Sequence, residues 1–93
     1  MRISYDPNKR AKILNEREID IADAGQVFEG FHLTRRDDAH SDAETRYISV
    51  GQLGDTVVNI VWTEREDSRR IVTMRKANGK EREIYFEHWD RSG

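Results

Sequence analysis

The chain opens on Arg2-Ile3-Ser4-Tyr5, polar and apolar by turns, which is the alternation of a short strand with one buried side. Asp6-Pro7 interrupts it: an aspartate can accept from the free N–H groups of a first helical turn, and proline's fixed φ suits the first helical position. A helix is predicted over Pro7 to Arg17, with a meagre apolar stripe of Ala11, Ile13 and Leu14 among Lys9, Arg10, Lys12 and Arg17. Such a helix keeps one side in solvent or against something acidic. Asp20 is predicted to cap a second helix, in which Ile21, Ala24, Val27 and Phe28 recur at helical spacing before Gly30 ends it. The two helices are expected to form a hairpin.

From Phe31 the period changes to two: His32-Leu33-Thr34-Arg35, then, after the polar stretch Asp37 to Ala43, Arg46-Tyr47-Ile48-Ser49-Val50. Leu53-Gly54-Asp55-Thr56 is a turn signal, and Val57-Val58-Asn59-Ile60-Val61-Trp62 is nearly continuous in β-branched and aromatic residues, as in a central strand covered on both faces. Glu66-Asp67-Ser68 turns into Arg70-Ile71-Val72-Thr73-Met74. Asn78, with Glu81 three residues on, forms a capping box that opens a last helix. The order β-α-α-β-β-β-β-α indicates an α+β fold, an antiparallel sheet with two N-terminal helices and one C-terminal helix packed on one side. The loop between the last two strands sets which arginines share a face. A two-residue turn at Asp67-Ser68 pairs Arg65 with Arg70; a three-residue loop pairs Arg65 with Arg69 and puts Arg65 on the face of Arg75. Asp67-Ser68 lacks the glycine that tight hairpin turns favour, so the longer loop is expected. Lys76 follows Arg75 and must face the other way in a regular strand.

Composition adjusts this picture. Ninety-three residues make one domain over 1–93. The chain is 35% hydrophobic and 37% charged, against roughly 25% charged in ordinary soluble domains, so its core is thin and its stability is expected to lean on a partner that covers one face. The absence of cysteine excludes disulfides, thiolate metal sites and a cysteine nucleophile. The polar N-terminus and the lack of any apolar run near ~20 residues lead us to expect a cytoplasmic protein with no membrane contact. A net charge of -2 and a pI of about 5.9 argue against a whole-surface nucleic-acid binder. Cations gather instead between Arg65 and Lys80, so phosphate chemistry would need a local patch.

Five stretches, "YDPNKRA", "IDIADAGQVFEG", "AETRYISVG", "VWTERED" and "RRIVTMRKANGKEREIY", span nearly the whole chain and, in this order, resemble the BrnT toxins of bacterial type II toxin-antitoxin systems. The resemblance implies a RelE-like fold and an endoribonuclease that cleaves mRNA and so inhibits translation. It implies neutralisation by a BrnA-type ribbon-helix-helix antitoxin in a 2:2 heterotetramer. That complex would repress its own operon, reaching operator DNA only through the antitoxin. The chain departs from the family pattern at Glu18, Ala43 and Glu66, where glycine is usual; glycine at the first of these suits a helix end with positive φ.

Metal-free RNA cleavage needs a base for the 2′-hydroxyl, cations around the phosphorane-like transition state, and an acid for the leaving 5′ oxygen. Arg65 and Arg75, at strand ends, suit the second role, since a guanidinium fork binds phosphate bidentately and stays charged. Glu44 and Arg46 share a strand face at family-recurrent positions, and His40 lies in the loop just before. These five are the candidate catalytic residues. Lys76, Lys80, Arg82 and the family-recurrent aromatic Tyr85 are candidate RNA contacts. A blander account gives the arginines to a solvated sheet edge, Glu44 to a weak surface pair, His40 to solvent, and Trp62, Ile84 and Trp89 to the core. His32, His40 and His88 are too scattered for a metal site, and no metal or other cofactor is expected. Two further functions stay open. One is a weakened or inactive antitoxin-binding protein that acts only in operon regulation; the other is an unrelated α+β adaptor.

Overall fold

In the computed structural model, which describes residues 2–40 and 42–92, the first helix (α1, Pro7–Arg17) begins on its predicted cap, Asp6 Oδ1 accepting from the Asn8 N–H at 2.9 Å. It stops at Glu18, which adopts the left-handed conformation (φ 57°, ψ 34°) and donates its N–H to Leu14 O at 3.0 Å. Asp20 accepts from the Ala22 N–H and opens a 3₁₀ turn, Ile21–Asp23, that leads into α2, Ala24–Glu29. Its carboxylate also takes both arms of Arg10, at 2.7 and 2.8 Å, and so ties α1 to the start of the next helical segment. The hydrogen bonds from Arg10 hold the Asp20 carboxyl well below its ordinary range, at about 2.

Five strands follow the predicted positions, the first one residue shorter and the other four longer than expected: β1 (Arg2–Ser4), β2 (His32–Arg36), β3 (Arg46–Leu53), β4 (Thr56–Glu64) and β5 (Ser68–Lys76). A final helix, α3 (Gly79–Ser92), completes the fold. The polar stretch between β2 and β3 contains a 3₁₀ turn, Asp38–His40, and Ser41 lies outside the described residues. The sheet order is β1-β5-β4-β3-β2. Neighbours pair antiparallel except β1, which runs parallel to β5, so the expected all-antiparallel sheet is a mixed one. The helical segments carry the chain across the full width of the sheet to β2, and successive reversals then bring it back to lie beside β1.

The pairing registers divide the side chains between two faces. One carries Tyr47, Ser49, Gly51, Val58, Ile60, Trp62, Ile71 and Met74, and against it pack Ile13, Ile19, Ile21, Ala24 and Val27 from the helical segments. Gly51 permits this contact: a Cβ there would lie 2.7 Å from Val27 Cγ1. Trp62 is core as expected, stacked on Tyr47 at 4.8 Å and donating its indole N–H to Ser49 Oγ at 2.8 Å. The other face carries Leu33, Arg35, Arg46, Ile48, Val50, Asn59, Val61, Thr63, Arg70, Thr73 and Arg75. α3 crosses one end of this second face, so the helices lie on both sides of the sheet and the one-sided arrangement expected from sequence is corrected. The reason is local. The capping box forms, Asn78 and Glu81 exchanging bonds of 2.9 and 2.8 Å, and Glu81 then reaches Asn59 and Arg75, both on the face turned away from α1.

The hairpin from β4 to β5 also differs from expectation. Glu64 pairs with Arg69 and the Arg65 N–H donates to Ser68 O at 2.9 Å, which places the turn on Glu66-Asp67 and rules out the three-residue pairing of Arg65 with Arg69. Further along, Val61 pairs with Thr73 but Trp62 with Ile71, leaving Val72 as the extra residue of a β-bulge. The bulge inverts the alternation of β5: Arg69 and Ile71 face the helical segments before it, while Thr73 and Arg75 face the opposite way after it. Arg75 therefore reaches the second face by the bulge and not by the length of the loop.

Candidate active site

At the β3 start, on the second face, a recess of about 390 Å³ is lined by His40, Asp42, Ala43, Glu44 and Arg46. Backbone bonds build its wall: the Asp37 N–H donates to Arg46 O at 2.8 Å, and the His40 N–H returns to Asp37 O at 3.3 Å through the 3₁₀ turn. Asp37 is buried and its carboxylate lies 3.1 Å from His40 Nδ1. When that contact is Nδ1–H to carboxylate, Nε2 of the neutral imidazole is left as the basic nitrogen. Arg65 reaches the recess from the hairpin after β4. Its Nη1 donates to Glu44 Oε2 at 2.6 Å and to Thr63 Oγ1 at 3.1 Å, and Nη2 donates to Glu44 Oε1 at 3.4 Å. The hydrogen bond from Arg65 holds the Glu44 carboxyl below the usual range, with partial desolvation opposing it. A carboxylate kept anionic in this way is a poor base, and here it fixes the direction of the Arg65 fork.

The structure therefore gathers four of the five candidate catalytic residues, His40, Glu44, Arg46 and Arg65, and separates the fifth. Arg75 pairs with Asn59 while Arg46 pairs with Thr63, four residues further along β4 and on its other side, an offset of about 13 Å along the strand alone at 3.3 Å per residue. Arg75 donates to both oxygens of Glu81, at 2.8 and 3.0 Å, and its Nη1 also bonds Lys76 O. These bonds push the Glu81 carboxyl down and the Arg75 guanidinium up from their ordinary values, and they anchor the first turn of α3 to the sheet.

The candidate RNA contacts are dispersed. Lys76 faces away from Arg75, as the alternation required, and with Arg82 and Asp55 lines a shallow hollow of about 260 Å³ at the Gly54 turn. Lys80 lines a third hollow, beside Ile84. Tyr85 is 1% exposed and donates its hydroxyl to Phe31 O at 3.1 Å; burial raises the phenol above its ordinary value, and no surface remains for a base to stack on. The helix is rotated relative to the predicted stripe, so Tyr85 is the core anchor, whereas Ile84 and Trp89, expected in the core, are 41% and 43% exposed. The arginine-rich stretch does not form one patch either, because Arg69 lies over the rings of Phe28 and Trp62, at 4.2 and 4.9 Å, on the helical face. Two residues that hold side chains at the recess, Asp37 against His40 and Thr63 against Arg65, were not foreseen from sequence, nor was Asp42 in its lining. Asp37 carried a signal, its i,i+3 spacing from His40; Thr63 carried none, since only strand pairing brings it beside Arg46.

Among the described residues no three His, Asp or Glu side chains are grouped to hold a metal ion, and no helix is long and apolar enough to cross a membrane. No curated protein matches the chain. The family model described as "Ribonuclease toxin, BrnT, of type II toxin-antitoxin system" matches residues 5–81, from just ahead of α1 to the first turn of α3 and across the whole recess; the chain belongs to that family.

Proposed function

We propose that this chain is a metal-independent endoribonuclease that cleaves mRNA in the cytoplasm and so stops translation, in the manner of RelE-like toxins, until a BrnA-type antitoxin binds and the pair represses its own operon. The observation that carries the reading is the convergence of His40, Glu44, Arg46 and Arg65 on one recess. His40, oriented by Asp37, takes the proton of a 2′-hydroxyl. The resulting oxygen attacks the adjacent phosphorus, the P–O5′ bond breaks, and the leaving 5′ oxygen takes a proton from solvent water, giving a 2′,3′-cyclic phosphate and a free 5′-hydroxyl. Arg46 and Arg65 stabilise the added negative charge, and Glu44 holds the Arg65 fork in place before RNA arrives.

The test is cleavage of single-stranded RNA by purified protein in EDTA. Arg65→Ala and His40→Ala are each expected to lower the rate by roughly two to three orders of magnitude. Lys12→Ala, on the exposed side of α1, should leave it unchanged. Folded Arg65→Ala and His40→Ala proteins that cut at the parental rate would refute the site. A second reading, antitoxin binding without catalysis, draws on the closure of the Arg65 fork by Glu44. It is favoured when the parent leaves RNA intact yet binds antitoxin.

A further inference from the structure

The second face of the sheet is not sealed by α3. The inner side of that helix is filled by Tyr85 and Glu81, while its Ile84 flank stands off the sheet over a groove of about 300 Å³ floored by Leu33, Ile48 and Val50. These aliphatic side chains are half-buried or exposed, in a chain poor in hydrophobic residues. The rim is cationic. Arg35 and Lys80 border the groove, and neither makes an ion pair with a described residue. The single lining carboxylate, Glu81, is already held by Arg75, Asn59 and the capping N–H of Asn78. The groove also runs on into the recess, because Ile48 and Arg46 are successive residues on this face of β3, about 7 Å apart.

We propose that this groove receives an acidic amphipathic helix of the antitoxin, apolar side down on Leu33, Ile48, Val50 and Ile84, carboxylates against Arg35 and Lys80, and one end lying over Arg46 and Arg65. A floor of aliphatic side chains between strands and a helix flank suits anchors spaced i, i+3 and i+7. RNA fits it poorly, since no aromatic ring is exposed in the floor for a base to stack on. A second copy of this chain fits poorly as well: a twofold contact through the groove would set Arg35 and Lys80 against their own images. Neutralisation then follows from occlusion of the recess without refolding of the toxin, a step that rests on the ribonuclease reading above; the docking itself does not.

The experiment compares parent, Arg35→Glu, Leu33→Asp and Ile84→Asp in two assays: affinity for the co-encoded antitoxin by calorimetry, and RNA cleavage with and without that antitoxin. Each substitution is expected to weaken antitoxin binding by about 30-fold or more. Free variants should cut RNA within about twofold of the parent and escape inhibition. Ile84→Asp, on the exposed flank of α3, keeps the test valid where Leu33→Asp fails to fold. Unchanged antitoxin affinity in folded variants overturns the proposal, as does loss of RNA cleavage with antitoxin binding intact, which would make the groove an RNA subsite. A parental dimer in light scattering that Ile84→Asp dissociates would also overturn it, in favour of self-association. A parent that binds antitoxin through the groove yet cuts no RNA refutes the nuclease and leaves the groove standing.

Discussion

Glu18 gives the most direct test of how sequence and fold are joined here. It is the one described non-glycine residue with positive φ, and it closes α1 in the left-handed conformation. That conformation costs an L-residue about 1 kcal/mol at the low end of the measured range. A carboxylate beside the negative end of a helix dipole adds roughly 0.3 kcal/mol more, since Glu18 lies just past the last turn. Glycine relieves both but restores freedom to the unfolded chain, which opposes the gain by roughly 0.5 to 1 kcal/mol. Glu18→Gly should therefore stabilise the fold by about 0.5 kcal/mol, which for a domain of this size raises Tm by about 2 to 4 °C. The assay is thermal unfolding by circular dichroism, checked by urea titration, on parent, Glu18→Gly and Glu18→Gln. The Gln variant removes the charge and keeps the strain, so it should recover only the smaller, dipole part. A lower Tm for Glu18→Gly would mean that the Glu18 side chain contributes contacts worth more than the strain, and equal gains from both variants would mean that the backbone is not strained.

Two further outcomes follow from single residues. Asp20 has a folded-state pKa of about 2, depressed from its model-compound value near 3.8, so the stability it contributes is fully present above about pH 3.8 and is lost as pH falls toward 2. Asp20→Asn should be less stable than the parent in urea at pH 7, and the gap should close over that acidic window; a gap independent of pH would deny the Arg10 pair its role. Tyr85→Phe removes the hydroxyl that satisfies Phe31 O and should lower stability by about 1 kcal/mol while leaving RNA cleavage unchanged, because the ring is inside. Weaker RNA binding with a parental Tm would return Tyr85 to the surface role that the family pattern implies.

The sequence by itself determined what is set by neighbours along the chain. Asp6-Pro7, the capping box Asn78 to Glu81, the period-two runs and the turn at Gly54 each act within about four residues, and each lies where the pattern put it. It also carried the family, whose motifs fall along most of the length. Tertiary structure alone decided what depends on sheet register and on which face a helix takes. The Val72 bulge, invisible in a run of β-branched residues, turned Arg75 to the second face, and the pairing of β3 with β4 then left it about 13 Å along β4 from Arg46. The rotation of α3 buried Tyr85 and exposed Ile84 and Trp89, because Glu81 fixes the first turn to Asn59 and Arg75 and every later side chain follows at 100° steps. Local propensity gives a helix or a strand, but a register and a rotation are chosen by contacts between residues far apart in the chain, and the site is built from those.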